Sequence, residues 1–245
     1  MLRLFSKKKQ EELDPLSFSV IKTDIHSHLI PGIDDGSADM ETTISLIQEM
    51  QILGFSKLII TPHIMSDFYR NSSQTILQGL EDVRTELKSR KIDMAIEASA
   101  EYYVDYNFEQ KIGEEKFLTF TDNYILIELS FAEPPRNLIE TIFKLQLEGY
   151  KVVLAHPERY NYFQSKDYSD LVDRSVFFQI NWLSLIGYYS PKVRDRVEYL
   201  ISKDMVSFIG TDCHNMSHIE LYKRCQTKKA WHDLYSSGKL LNSNL

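Results

Sequence analysis

The chain has 245 residues, 43% of them hydrophobic and 26% charged, a composition that suits a globular protein long enough for one α/β barrel domain. Its formal charge of −7 argues against a nucleic-acid binder, which needs a basic face. No apolar run approaches the roughly 18–20 residues that span a bilayer, and the two cysteines, Cys213 and Cys225, form no CxxC pair or disulfide framework.

In chain order, the N-terminal stretch MLRLFSKKKQEELDP is basic and then acidic. It lacks the apolar core and cleavage site of a signal peptide and reads as a polar tail, residues 1–19, on a cytoplasmic protein. A weak membrane-surface contact through Leu2, Leu4, Phe5 and Lys7 to Lys9 competes with a simple frayed terminus. Strands are expected over residues 20–24, 57–61, 93–98, 124–129, 151–155, 176–180 and 206–210. Helices are expected over 38–53, 73–90, 135–148, 191–203 and 218–235. In the first of these, Ile44, Leu46, Ile47, Met50 and Leu53 recur on one face. Gly54 and Gly149 stand where helices stop, and Pro135 and Pro191 where helices can begin. Continuous apolar runs such as KVVLA indicate parallel strands covered on both faces. About seven such units without a flexible linker imply one (β/α) barrel domain over residues 20–245.

Polar residues recur just after each strand: His26 and His28 in TDIHSH, His63 in TPH, Glu101 in EASAE, Glu128 in LIELS, His156 and Arg159 in AHPER, Asp212 and His214 in GTDCH. In a parallel barrel these ends open on one rim, so the side chains would converge. In extended backbone the two histidines of HxH share a face, whereas Cys213 would point away from Asp212 and His214 as a packed thiol. Five of the seven histidines sit at strand ends; His218 and His232 fall within a helix and read as unrelated to the site. Histidine and carboxylate ligands without thiolate suit manganese, iron or zinc, and so many ligands imply two or three divalent ions. Asp35, Glu101, Glu128 and Asp212 would carry −4 against +6 from three such ions, leaving a loaded site able to hold a phosphate dianion.

The HxH, the lone His, the Glu, HPER and DxH together resemble the PHP (polymerase and histidinol phosphatase) family. The segments DIHSHLIPGIDDGS, TPH, HPERY and GTDCHN are similar to its branch of bacterial manganese-dependent protein-tyrosine phosphatases, the CpsB/CapC/YwqE-like proteins of capsule and exopolysaccharide assembly. The resemblance implies an α/β fold, a distorted (β/α)7 TIM-like barrel with three ions. His26, His28, Glu101 and Asp212 would hold the first; Glu101 would bridge to a second, held also by Glu128 and His156; Asp35, His63 and His214 would hold the third, with Asp34 an alternative to Asp35. The branch often has an arginine soon after DxH, where this chain reads NMSHIEL; Arg136, Arg224 and His218 are the candidates to replace it.

The implied reaction is phosphomonoester hydrolysis, with ions acidifying a water for in-line attack, Arg159 stabilising transition-state charge and Asp212 or His214 relaying a proton. The implied partner is the phosphorylated tyrosine tail of a polysaccharide-assembly kinase. Aromatic substrate contacts are sought at Tyr102 and Tyr103, at Phe68 and Tyr69, and at Trp182 or Tyr188 and Tyr189. The alternatives are a PHP phosphatase or phosphodiesterase of small metabolites, such as histidinol phosphate or a sugar phosphate, and a non-catalytic metal-binding regulator. Oligomeric state is not legible.

Overall fold

The apolar runs expected as strands pair edge to edge, all in parallel. In this computed structural model, which describes residues 13–245, they form β1 (Thr23–Asp24), β2 (Lys57–Ile60), β3 (His63–Ile64), β4 (Ala95–Ala98), β5 (Glu101–Tyr103), β6 (Tyr124–Glu128), β7 (Lys151–Ala155), β8 (Phe177–Asn181) and β9 (Val206–Gly210). One sheet runs β1-β2-β4 and the other β3-β5-β6-β7-β8-β9. They are parts of one wall. Only Thr61 and Pro62 separate β2 from β3, and only Ser99 and Ala100 separate β4 from β5. The ladder crosses both gaps: Thr61 N donates to Ser27 O at 2.8 Å, Ser99 N to Ile60 O at 2.9 Å and Glu101 N to Pro62 O at 3.0 Å. Closure comes from a parallel bridge between Ser27 and Cys213, with His28 N donating to Cys213 O at 2.9 Å and Asp212 N to His26 O at 2.7 Å. With each interrupted pair taken as one strand, seven strands surround a closed, distorted TIM-like barrel, as expected.

Alternation along the strands divides the barrel into layers. Leu58, Ile60, Ile125, Ile127, Val152, Leu154, Phe178 and Ile180 belong to the large core cluster beneath the helices. Ile25, Ile59, Phe120, Tyr124, Leu126, Val153, Ala155 and Phe208 form a second, smaller cluster, the plug of the barrel. On that inner face the residue type changes toward the C-terminal end of each strand. Leu126 is followed by Glu128, Phe177 by Gln179 and Asn181, and Phe208 by Gly210. The floor is apolar and the rim polar.

The helices are α1 (Met40–Leu53), α2 (Ser73–Ser89), α3 (Tyr106–Lys111), α4 (Leu138–Leu147), α5 (Ser165–Asp173), α6 (Pro191–Ser202), α7 (Met216–Cys225) and α8 (Lys229–Ser236). Local chemistry fixes their ends. Asp39 caps α1 by accepting from Thr42 N at 2.8 Å, and Gly54, at φ 111°, ends it in the left-handed conformation that glycine favours. Ser190 caps α6, with Pro191 at its first position.

Several expectations are corrected. The helix expected over 135–148 begins at Leu138 with Asn137 as its cap, leaving Pro135 outside. The segment expected as one helix, 218–235, is two: α7 starts at Met216 and ends at Cys225, and α8 begins at Lys229. The carbonyls of Gln226 and Thr227 between them accept from Leu16 N at 3.0 Å and Leu13 N at 3.1 Å. The strand expected over 20–24 shrinks to β1, because Phe18–Val20 is a 3-10 turn capped by Ser17 and Lys22 is left-handed at φ 62°. The polar tail therefore does not reach residue 19. Phe18 is fully buried, 4.0 Å from the Trp182 ring and 5.3 Å from Phe55, and Trp231 Nε1 donates to Leu16 O at 2.9 Å. The stretch with Leu2, Leu4, Phe5 and Lys7 to Lys9 lies outside the described residues. Short helices α3 and α5 were not anticipated; α5 buries only Tyr168 and Leu171, too little for a periodic signal. Among the described residues no helix is long and apolar enough to cross a membrane.

Candidate metal centre

The polar rim brings the nine side chains expected as ligands into one cluster. His26 and His28 flank the closing bridge at Ser27, and their Nε2 atoms stand 3.3 Å apart. Glu101 Oε2 lies 3.2 Å from His26 Nε2 and 3.5 Å from His28 Nε2; Asp212 Oδ1 lies 3.6 Å and 3.5 Å from the same atoms. Glu101 Oε1 turns the other way, 3.1 Å from His156 Nε2, which is 3.6 Å from Glu128 Oε1. His63 Nδ1 approaches Glu101 Oε2 at 3.2 Å and Glu128 Oε2 at 3.8 Å. Asp35 Oδ1 lies 3.6 Å from His63 Nε2 and 3.5 Å from His214 Nε2. His28 is also within reach of the Asp35, His63 and His214 group.

A second set of contacts fixes the tautomers of three of the five histidines. His26 Nδ1 donates to Gln179 Oε1 at 2.8 Å, and Gln179 is itself oriented by donating from Nε2 to Ile180 O and Asn181 Oδ1. His28 Nδ1 donates to Asp34 Oδ2 at 2.8 Å, and His214 Nδ1 to the carbonyl of Asp212 at 2.9 Å. With Nδ1 occupied in each ring, the Nε2 lone pairs face the cluster, the arrangement that metal-ligating histidines need. Asp212 divides its oxygens similarly. Oδ1 faces the histidines, while Oδ2 accepts from Asn181 Nδ2 at 2.7 Å, Arg159 Nη1 at 3.2 Å and Tyr189 Oη at 3.3 Å.

The donor set fits divalent ions on chemical grounds. Among the described residues, buried Glu101 Oε2 and His63 Nδ1 have no hydrogen-bond partner, though both face the cluster. Two imidazole lone pairs aimed at one point, with two carboxylate oxygens beside them, repel one another unless a cation or protons intervene. Burial works to raise the Glu101 and Asp212 carboxyls, but neighbouring histidines outweigh it and hold both well below the usual carboxylate range. Glu128 goes the other way: burial and then the Glu101 charge push it well above that range. Burial, reinforced by Arg159, lowers His156 to about 4, so it stands neutral with its lone pair available.

Close backbone approach builds the rim. A Cβ on Gly36 would lie 2.2 Å from His28 O, and one on Gly210 would lie 2.6 Å from His26 Cβ and 3.0 Å from Gln179 Nε2. His156 and Asp212 adopt left-handed backbone at φ 33° and 53°, an uncommon conformation for such residues. The DxH segment is thus not extended. Cys213 is nevertheless a buried, packed thiol, raised by burial to about 12.

Beside the cluster opens a cavity of about 290 Å³, lined by Asp35, His63, Glu101, Glu128, Phe131, His156, Arg159, Tyr188, Tyr189, Asp212, His214 and His218. Arg159 is where expected. His218, read both as an ordinary helical histidine and as a candidate to replace the arginine after DxH, lines the cavity from α7, 8% exposed, its ring 6.2 Å from that of His214. Arg136 instead lines a separate surface groove on α4, and Arg224 lies in the last turn of α7. Of the aromatic candidates, Tyr188 and Tyr189 line the cavity and Tyr69 stacks on His63 at 5.4 Å, beside Phe68, which is 73% exposed. Tyr102 and Trp182 are core residues, Tyr102 packing on Phe108 and Phe117. Phe131, Gln179 and Asn181 were missed. The signal for the last two was present in FFQIN, polar residues at alternate positions of a buried strand.

With this geometry in place, comparison with known proteins is direct. The tyrosine-protein phosphatase YwqE of Bacillus subtilis (strain 168) is 28% identical over 196 residues, 79% of this chain and 77% of the relative. The tyrosine-protein phosphatase CpsB of Streptococcus pneumoniae is 27% identical over 201 residues, 79% and 83% of the two chains. A putative tyrosine-protein phosphatase, CapC of Staphylococcus aureus, is 24% identical over 232 residues, 90% and 91%. In fold, the chain resembles one from the crystal structures of YwqE from Bacillus subtilis and CpsB from Streptococcus pneumoniae, described as unique metal-dependent tyrosine phosphatases, with a TM-score of 0.77, 24% identity and coverage of 91% and 94%. It also resembles a histidinol phosphate phosphatase from Lactococcus lactis subsp. lactis solved with zinc, L-histidinol and phosphate, with a TM-score of 0.57, 14% identity and coverage of 89% and 94%. Residues 22–237 match the family model for capsular polysaccharide synthesis, CpsB/CapC, and the chain belongs to that family.

Proposed function

We propose that this chain is a divalent-metal-dependent protein-tyrosine phosphatase, acting in the cytoplasm on the phosphorylated tyrosine tail of a polysaccharide-assembly kinase, from one catalytic unit that includes Leu16 and Phe18 as well as residues 20–245. The observation that carries the reading is that His26 Nε2 and His28 Nε2 each lie within 3.6 Å of both Glu101 Oε2 and Asp212 Oδ1, beside a guanidinium and an open cavity. Family membership and relatives named as tyrosine-protein phosphatases support the same chemistry.

We assign His26, His28, Glu101 and Asp212 to one ion, Glu101, Glu128 and His156 to a second, and Asp35, His63 and His214 to a third. Manganese is the ion we favour, and iron or zinc would accept the same ligands. When bound, such ions supply positive charge that acidifies the attacking water and neutralises phosphoryl oxygens.

The chain's own residues do the rest. Glu101 would serve two ions, because Oε2 faces His26 and Oε1 faces His156. Arg159, one quarter exposed at the cavity, offers donors to the phosphoryl oxygens. Asp212 and His214 serve as ligands rather than as a proton relay: Asp212 Oδ2 already accepts three donors and His214 Nδ1 is committed to a carbonyl. A departing phenolate, with a pKa of about 10, has little need of a strong acid. Phe131, Tyr188 and Tyr189 make the mouth compatible with an aryl phosphate.

Parallel assays on a phosphotyrosine peptide, histidinol phosphate and a sugar phosphate test this reading. Preferential turnover of the peptide is expected; turnover confined to the small metabolites would replace it with a metabolite phosphatase, and no turnover with a metal-binding regulator.

A further inference from the structure

We propose that Phe131 and Tyr189 are positioning residues that aim the Arg159 guanidinium at the phosphoryl group, an inference that rests on the phosphomonoesterase reading above. The Arg159 guanidinium carbon lies 4.5 Å from the centre of the Phe131 ring and 4.3 Å from that of Tyr189. Both distances fall within the range of attractive cation–π contact. Among the described residues the guanidinium makes one side-chain hydrogen bond, from Nη1 to Asp212 Oδ2 at 3.2 Å, and a single bond leaves a long side chain free to rotate out of the cavity. Guanidinium donors lie in one plane, so two rings with the guanidinium carbon over their faces limit the directions those donors can take, one of which is already taken by Asp212.

Each ring is held for this purpose by something other than Arg159. Tyr189 donates to Asp212 Oδ2 at 3.3 Å and accepts from Asn181 Nδ2 at 3.0 Å, which ties its ring to the same carboxylate that Arg159 touches. Phe131 follows β6, stacks on His156 at 5.7 Å and packs against Tyr160 at 5.6 Å, yet stays 43% exposed. A large apolar ring left this open contributes little as core. Besides the buried Tyr160, the rings and charges it meets are a ligand histidine and the site's arginine, both in the cavity wall.

The test uses the metal-loaded enzyme. Phe131→Leu keeps an apolar side chain and removes the ring, whereas Phe131→Tyr keeps the ring. We expect Phe131→Leu to weaken competitive inhibition by inorganic phosphate by about 3- to 30-fold, the span of one partly desolvated cation–π contact. Phe131→Tyr should stay near wild type. In an Arg159→Ala background, Phe131→Leu should have no further effect, because the ring acts through the arginine. Inhibition unchanged in Phe131→Leu, or an effect that persists undiminished without Arg159, would overturn the proposal. A second readout, taken on zinc-loaded protein because Mn2+ broadens nearby proton signals, does not depend on phosphate: the Arg159 Hε resonance should be ring-current shifted in wild type and in Phe131→Tyr, and less so in Phe131→Leu. A wild type that neither hydrolyses phosphoesters nor binds phosphate would defeat the functional reading. The resonance would then decide the clamp by itself, and an unshifted signal would refute it.

Discussion

Asp34 Oδ2 accepts a hydrogen bond from His28 Nδ1 at 2.8 Å, so the first of two adjacent aspartates orients a histidine while the second, Asp35, faces the cluster. Asp34 also accepts from Gly36 N at 3.0 Å and His63 N at 3.1 Å, which locks the loop that carries Asp35. Burial opposes its ionisation, but the His28 charge prevails and lowers its carboxyl to about 2. Asp34→Ala should therefore weaken manganese binding by about 10- to 100-fold, the usual cost of losing such an outer contact. Calorimetric titration with Mn2+ measures it, and unchanged affinity would show that the contact orients nothing that matters.

Gly210 offers a sharper steric test. An added methyl would meet His26 Cβ at 2.6 Å and press on Gln179, the residue that sets the His26 tautomer. Gly210→Ala should cost on the order of 100-fold in turnover by displacing one imidazole about an ångström. Retained secondary structure by circular dichroism, together with lost turnover, is the expected outcome.

Tyr160 couples the ends of two neighbouring strands. Its hydroxyl accepts from Leu129 N at 3.0 Å and donates to Ala155 O at 3.0 Å, one residue beyond Glu128 and one before His156. Tyr160→Phe leaves both backbone groups buried without that partner, at a cost of about 1–3 kcal/mol. Urea unfolding should show this loss with an unchanged slope.

Ion removal should destabilise the fold measurably. The carboxylates of Glu101, Glu128 and Asp212 share one rim, and the Glu101 charge helps to push Glu128 upward. At a concentration a hundred times its dissociation constant, a bound ion adds about 2.7 kcal/mol. Thermal unfolding with and without Mn2+ should therefore differ by several degrees, whereas the His26→Ala, His28→Ala double variant should show a much smaller shift.

Much of this molecule was legible in its residues because two simple periodicities coincide. Apolar runs such as KVVLA located the strands, and polar residues beyond six of the seven located the rim; β7 and β9 have the expected bounds. What escaped depended on contacts between distant segments. Phe18 looked like tail because its partners, Phe55, Trp182 and Trp231, are far along the chain. The break between α7 and α8 follows from carbonyls taken up by Leu13 and Leu16. His218 looked like an ordinary helical histidine until the start of α7 fixed which way that helix turns. Asp34 and Asp35 were interchangeable as letters and differ only through the donors each one meets.

The most direct test of the account is phosphate release from a phosphotyrosine peptide by chelator-treated protein, before and after Mn2+ is restored, in wild type and in the His26→Ala, His28→Ala variant. Turnover absent after chelation, recovered with Mn2+ in wild type and unrecovered in the folded variant is the predicted result. Turnover that survives chelation, or recovers equally in the variant, would contradict it.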